Sequence, residues 1–374
     1  MAPLPIPQTD PKASYLASRA KIDAAVRRVL DGGWYILGDE VAAFEREFAG
    51  FIGAGHGIGV ASGTDALVLG LKALGVGPGD TVVTVSHTAV ATVAAIEIAG
   101  ATPILVDVDP ATFTMDPTDL QGVLERPGAP VKAVIPVHLY GCPAAIETIC
   151  ALAERHGAAV LEDVSQAHGA TVGGRRLGRF GALGAFSLYP TKNLGAFGDG
   201  GVIVTESETI AERLKALREY GWRRRYVSDT AGFNSRLDEL QAAILRVKLT
   251  RLEADNARRR AIAALYDQGL ADLPLTRPTQ APGVAHVYHQ YVVRLAERDR
   301  VKAALAERGV GSNIHYPLPV HLQPAYQGRV ATGPSGLRET EALTPEVLSL
   351  PMYPQLDDAM AARVIEAIHE ALGA

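Results

Sequence analysis

Four short stretches of the chain gather residue types that do chemistry at unusual places. Lys192 stands in Ser187-Leu188-Tyr189-Pro190-Thr191-Lys192-Asn193 and is followed by Gly195, Gly198, Gly200 and Gly201. Most lysines are solvated surface groups. Here the glycines allow close backbone approach and the hydroxyls of Ser187 and Thr191 lie nearby in sequence. Such surroundings lower an ammonium pKa and give a nucleophilic amine able to form Schiff bases. A second stretch is Glu162-Asp163-Val164-Ser165-Gln166-Ala167-His168-Gly169. Its Asp163 can pair with a cationic ligand, bind a metal or cap the next turn. Asp163 with His168 is a thin ligand set, and no HExxH or facial-triad spacing accompanies it, so no metal is expected. The third, Ala61-Ser62-Gly63-Thr64-Asp65, ends a strand and opens a helix, where free N–H groups and the dipole suit a phosphate. Capping by Thr64 or Asp65 accounts for the same residue types. In the fourth, Gly232-Phe233-Asn234-Ser235-Arg236-Leu237, Asn234 or Arg236 can meet an anion, and N-cap chemistry serves Asn234 and Ser235 as well.

These stretches need elements to position them. Short β-branched runs predict strands at Ile58–Ala61, Val82–Ser86, Ile104–Asp107, Ala133–His138, Ala159–Asp163, Ala185–Leu188 and Val202–Val204. Helices fit between the first five, over Asp65–Leu74, Thr88–Ala99, Pro117–Glu125 and Ala144–His156, with Asp116 as N-cap before Pro117. Strand alternating with helix predicts a parallel sheet. The interval Tyr189 to Gly201 is too short for a crossover helix, so the last strand should run antiparallel. The expected fold is an α/β three-layer sandwich with a seven-stranded, mostly parallel sheet containing one antiparallel strand, plus a smaller C-terminal α+β domain. From Ser235 to Gly269 the chain lacks Gly and Pro and reads as a long linking helix. Beyond it come a strand (Val287–Leu295), a helix (Asp299–Arg308), a strand ending near His315 and a closing helix (Asp357–Leu372). The domains are placed at 1–248 and 249–374.

Composition narrows the partners. The 374 residues carry 36 Lys plus Arg against 41 Asp plus Glu, a net charge of −5, so no broad surface for nucleic acid or an anionic membrane is expected. The region Val90 to Val106 is broken by polar residues, Gly and Pro, and no signal peptide or membrane span is read. Cys142 and Cys150 are spaced as neither a redox pair nor a zinc knuckle, which points to reduced core residues in a cytoplasmic protein. Gly53, Gly55, Gly57 and Gly59 alternate without completing a G-x-G-x-x-G, and Walker and G-x-S-x-G motifs are missing. Tyr189 is one residue too close to Lys192 for a short-chain dehydrogenase pair. Nicotinamide, NTPase and serine-hydrolase chemistry lose support. A phosphate site, a strand-end carboxylate and a strand-end amine together suit pyridoxal phosphate, which carries a phosphate, a cationic ring nitrogen and a carbonyl.

In these residues the chain resembles the nucleotide-sugar aminotransferases of the DegT/StrS-like family, fold-type I PLP enzymes. The likeness runs from Gly33-Trp34-Tyr35-Ile36-Leu37-Gly38 through the four stretches above, Val106 to Asp109 and Asn234 to Ala243, to His315-Tyr316-Pro317 and Ser349 to Pro354. The resemblance implies Ser62, Gly63, Thr64 and Ser187 at the phosphate, Asp163 on the ring nitrogen, Gln166 on the ring hydroxyl and Lys192 as the Schiff-base lysine. It implies Asn234 reaching the phosphate of the neighbouring subunit's cofactor in a homodimer with shared active sites. It also implies L-glutamate as amino donor, and a nucleotide-linked keto-deoxysugar as acceptor near Tyr35, Arg223, Arg236, His315, Tyr316 and His321. Trp34-Tyr35-Ile36-Leu37-Gly38 resembles 3-keto more than 4-keto members. For Arg223-Arg224-Arg225 a solvated turn is the equal alternative. Ala89 falls where the family places an aromatic over the pyridine face, which leaves His87 as the candidate to cover it. Related sugar dehydratases carry histidine where Lys192 stands, and a non-catalytic regulator would show a degraded site; both are the weaker readings.

Overall fold

The computed structural model describes residues 5–127 and 130–373. Across the main sheet the strands follow the order His56–Val60, Gly201–Thr205, Leu183–Ser187, Ala159–Asp163, Val131–Val134, Thr81–Val85, Thr102–Val106 and Ala331–Thr332. Gly201–Thr205 is antiparallel to both neighbours, and the remaining pairs are parallel. The cause is the one expected: Tyr189 to Gly200 forms turns and no helix, so the chain re-enters the sheet in the opposite sense. All seven expected strands form. The eighth, Ala331–Thr332, is a two-residue edge addition beside Thr102–Val106, too short to leave a pattern in the sequence.

Alternation along each strand sorts side chains to the two faces. Val83, Val85, Val134, Val160, Phe186, Val202 and Val204 share one core with Val41, Phe44, Phe48, Leu120, Ile149 and Leu245. Those partners place the helices Asp39–Ile52, Pro117–Leu124, Ile146–Arg155 and Glu239–Leu249 on one face. Val60, Val82, Ala133, Leu161, Leu183 and Ile203 pack with Leu67, Ile96 and Leu214, which puts Gly63–Ala73, Val90–Ile98 and Glu208–Leu217 on the other. Two helical layers on a buried sheet give the three-layer sandwich. Asp116 caps its helix through Thr118 N at 2.8 Å, with Pro117 in the first turn.

A second core gathers Ile262, Tyr266, Tyr291, Leu348 and Ile368. It lies among the helices Leu252–Gly269, Arg298–Glu307 and Asp358–Leu372 and the antiparallel pair Tyr291–Arg294 with Val347–Leu350. Ile6 is also buried there and bridges to Val310. Two expectations are corrected. The long helix is broken into Glu239–Leu249 and Leu252–Gly269, and Thr250 Oγ1 donates to Val247 O at 2.8 Å in the break, a local bond that competes with helix propagation. The strand ending near His315 is reduced to one bridge, Asn313 with Ser349, since the preceding Val310 and Gly311 pair with Ile6 instead. No helix among the described residues is long and apolar enough to cross a membrane.

Candidate active site

Lys192 follows the strand Leu183–Ser187 in a compact loop. Its N–H donates to Tyr189 O at 2.9 Å, while Ala196 N donates to Leu188 O at 2.7 Å and Leu188 N to Gly200 O at 2.8 Å. A Cβ on Gly195 would lie 2.4 Å from Pro190 O, so only glycine lets the loop close this tightly. The Lys192 side chain is half-buried, and its Nζ has no hydrogen-bond partner among the described residues. Burial lowers the ammonium pKa to about 8, against the opposing attraction of Asp163. A sizeable neutral fraction near neutral pH is what a nucleophilic amine needs.

Asp163 ends the adjacent parallel strand and is 4% exposed. Its Oδ2 accepts from Thr92 Oγ1 at 2.9 Å and its Oδ1 from Ser165 N at 3.1 Å. Both oxygens are thereby oriented. Gln166 is held at both ends of its amide, with Oε1 accepting from Tyr140 N at 2.7 Å and Nε2 donating to Tyr316 OH at 3.0 Å. Burial pushes the Tyr316 phenol up to about 12, so it stays neutral. Tyr140 OH also pairs with His87 Nε2 at 2.7 Å and donates to His315 O. His87 is fully buried in an edge-to-face cluster with Phe113 and Tyr140, and burial takes its pKa to about 3. His315 is lowered to about 4 by burial and then by the charge of Lys192, and its Nδ1 pairs with Ser349 Oγ at 2.8 Å. His321 is engaged at both ring nitrogens, with Ser86 Oγ at 2.7 Å and Glu341 Oε1 at 3.1 Å.

The anion cradle lies at the start of helix Gly63–Ala73. Ser62 is the N-cap, accepting from Asp65 N at 3.1 Å, so neither Thr64 nor Asp65 serves as the cap. Asp65 instead accepts from Ser235 Oγ at 2.6 Å, and the same hydroxyl accepts from Ala61 N at 3.1 Å. A Cβ on Gly63 would stand 2.5 Å from Ser187 Cβ and 3.0 Å from its Oγ. The glycine therefore brings the Ser187 hydroxyl against the first turn of the helix, where the N–H groups of Gly63 and Thr64 are free of helical partners.

Not every expected residue joins this group. Tyr35, Arg223 and Arg236 line a separate cleft of about 710 Å³ with Trp34, Trp222 and Tyr226, and Lys192, Asp163 and Ser187 are not on its wall. Asn234 is exposed and its side chain has no partner among the described residues. Ser62, Gly63, Thr64, Asp163, Gln166, Ser187 and Lys192 come together on the strand ends, with His87, His315 and Tyr316 tied to them through Tyr140 and Gln166, while His321 bonds Ser86 and Glu341. Sequence reasoning missed Thr92 and Tyr140. Thr92 was detectable as a hydroxyl on the buried face of an otherwise apolar helix; Tyr140 sits in a turn with φ +60° and left no spacing signal.

These groups fit pyridoxal phosphate on the structure's own terms: a glycine-lined helix start with a hydroxyl for the phosphate, an oriented buried carboxylate for the ring nitrogen, and an amine with no competing hydrogen bond. A strand-end lysine and carboxylate on a sheet with one reversed strand are the marks of the PLP-dependent transferases. The DegT/DnrJ/EryC1/StrS aminotransferase family matches residues 17–369, and the chain belongs to it. It is a PLP-dependent aminotransferase. It is 47% identical to the dTDP-3-amino-3,4,6-trideoxy-alpha-D-glucose transaminase of Streptomyces venezuelae, over 98% of this chain and 96% of that one. It is 42% identical to the UDP-N-acetyl-3-dehydro-alpha-D-glucosamine 3-aminotransferase of Acidithiobacillus ferrooxidans, over 98% of each. Among solved structures, S. venezuelae DesV in complex with a ketimine intermediate superposes with a TM-score of 0.95 at 47% identity, covering 98% of both chains.

Proposed function

We propose that the protein transfers an amino group from L-glutamate to a nucleotide-linked keto-deoxysugar, at C3 in preference to C4, in amino-sugar biosynthesis. The observation that carries this reading is the Lys192 amine beside the buried Asp163 carboxylate and the Gly63–Ser187 cradle. Bound pyridoxal phosphate supplies an electron sink for the carbanion formed at the amino-bearing carbon. Lys192 is the residue to hold it covalently and then, released, to carry the proton on and off that carbon at Nζ. Asp163, oriented by Thr92 and Ser165, would pair with the ring nitrogen. Gly63, Thr64, Ser62 and Ser187 hold the phosphate, and Gln166 meets the ring hydroxyl. His315, lowered to about 4, lies within reach of the amine's charge and Tyr316 within reach of Asp163, and both are neutral near neutral pH.

The 3-amino products named for the S. venezuelae and A. ferrooxidans relatives support C3. Tyr35, Arg223, Arg236 and His321 are proposed to contact the sugar nucleotide. We infer a homodimer in which the cleft and Asn234 of one subunit complete the site of the other. The exposure of Trp34 (66%) and Tyr226 (73%) on that cleft supports a covering partner. Unpaired Cys142 and Cys150 fit a cytoplasmic location. We also propose working bodies at 1–248 and 249–374, supported by the two cores, with Ile6 and Ala331–Thr332 crossing between them.

The test is incubation with glutamate and matched 3-keto and 4-keto dTDP- and UDP-sugars, read by mass spectrometry. An aminated product from the 3-keto set is expected. Amination of the 4-keto set alone overturns the C3 assignment, and a deoxygenated product from either set overturns the transfer reaction itself.

A further inference from the structure

Two loops carry the groups of the site, one with Asp163 and Gln166, the other with Lys192. A residue outside both bonds to each. Asn256 lies on the helix Leu252–Gly269, is fully buried, and touches each loop through its carboxamide. Its Nδ2 donates to His168 O at 2.8 Å, and its Oδ1 accepts from Asn193 Nδ2 at 2.9 Å. Asn193 Nδ2 also donates to Val287 O at 3.0 Å, and Asn193 Oδ1 pairs with His289 Nδ1 at 3.2 Å. Gly169, at φ +84°, leaves room for this approach: a Cβ there would stand 3.0 Å from Asn256 Nδ2.

This network has one hydrogen-bonding solution. The carbonyls of His168 and Val287 can only accept, so each must face an amide NH₂, which fixes the orientation of both asparagines. Asn193 Oδ1 can then only accept, so His289 must be the Nδ1–H tautomer. His289 is buried and its pKa lies well below 6.5, first because of burial and then because of the charge of Lys192, so its ring is neutral and its single N–H is the one at Nδ1.

We propose that Asn256 is a positioning residue for the reaction: its buried carboxamide holds the Lys192 turn and the Asp163 loop at a fixed separation. A polar group buried in a helix is costly unless satisfied, and here it is satisfied by the two loops that carry the reacting groups. The proposal rests on the reading of Lys192 as the reactive amine with Asp163 as its neighbouring charge. His168, His289 and His315 are the other titratable groups that respond to Lys192, and Arg259 acts on His289.

The test compares the full-length wild type with Asn256→Ala, Asn193→Ala, the double variant and Ile262→Ala, a core deletion on the same helix. Beside the melting temperature of each variant, two quantities are measured: kcat with glutamate in the loaded enzyme, and the pH midpoint of Lys192 labelling by an amine reagent after cofactor removal, followed by peptide mass spectrometry. Either asparagine variant should lower kcat about tenfold with little change in KM, and the double variant should lose no more than either single. The labelling midpoint should rise from about 8 toward the ordinary lysine value as water reaches the amine. Ile262→Ala should lower the melting temperature and leave the midpoint in place. If Asn256→Ala matches Ile262→Ala in both respects, the proposal falls; should that variant not fold, Asn193→Ala at its half-buried position decides by the same measurements. A wild-type midpoint near 10.5 would instead overturn the reading of Lys192 itself.

Discussion

Asp163 is 4% exposed and each of its carboxylate oxygens accepts one hydrogen bond, whereas the Arg236 guanidinium lines an open cleft and no described residue bonds it. The two charges stand for two ways of building a binding region. Around Asp163 and Lys192, strand ends and short loops fix each polar group before any ligand arrives, which favours interactions that need no reorganisation during reaction. Around Arg236 the wall includes the exposed Trp34, Tyr35, Arg223, Arg225 and Tyr226, and the Arg236 guanidinium is left without a bond from any described residue that would orient it. If the proposed division holds, with chemistry in one region and recognition in the other, one sheet can serve different acceptors by changing the cleft alone.

The contrast can be tested from its strongest consequence downward. Lys192→Ala should remove transamination altogether and abolish the visible absorbance of the bound chromophore in purified protein, with the melting temperature little changed; retained turnover would place the chemistry elsewhere. Asp163→Asn keeps shape and removes charge, and kcat should fall on the order of a hundredfold, as expected for losing an opposite charge worth one to three pKa units. Arg236→Ala should raise KM for the nucleotide sugar roughly tenfold while leaving the half-reaction with glutamate intact, the loss expected for one charge-assisted contact. Mixing Arg236→Ala with Lys192→Ala chains sharpens this result. If the cleft serves the partner's amine, the hybrid dimer contains one wholly wild-type site and recovers activity; without recovery the cleft serves its own chain.

The smallest effect concerns acid. His87, His168 and His286 are buried, with pKa values lowered from 6.5 to about 3 by burial. Between those limits the unfolded chain binds more protons than the folded one, so stability falls as pH drops from about 6.5 toward 3. Denaturant midpoints measured at pH 7, 5.5 and 4.5 should decline in that order. None of these histidines lines the cleft, so the decline should persist unchanged in Arg236→Ala.

Much of the first region was legible in the sequence because its signals are local. Lys192 sits in a glycine-rich strand exit, Asp163 ends an apolar run, and Ser62-Gly63-Thr64 opens a helix; each needs only its neighbours to be noticed. The reversed strand was legible for a similar reason, since an interval without room for a helix leaves one direction. What stayed hidden depends on contacts between distant segments. Asn256 looks like an ordinary polar position on a linking helix until His168 and Asn193 are placed beside it, although an asparagine is a poor helix former and its presence there is a faint signal. The break at Thr250 carries no Gly or Pro. The strand Ala331–Thr332 consists of two residues, and its register is set by Ile104 and Leu105 rather than by any pattern of its own. Tyr35, Arg223 and Arg236 were grouped with His315, Tyr316 and His321, whereas the first three line a cleft whose wall does not include Lys192, a separation no local pattern reveals.

The bridge from Ile6 to Val310 has a consequence for how the chain reaches this state. A segment made early by the ribosome finds its place only after residues about 300 positions later have emerged, so it must stay unattached through most of synthesis. Closing so long a loop is slow but adds little to the equilibrium cost, because closure entropy grows only with the logarithm of length. Nascent chains arrested before residue 310 should therefore leave Ile6 open to protease.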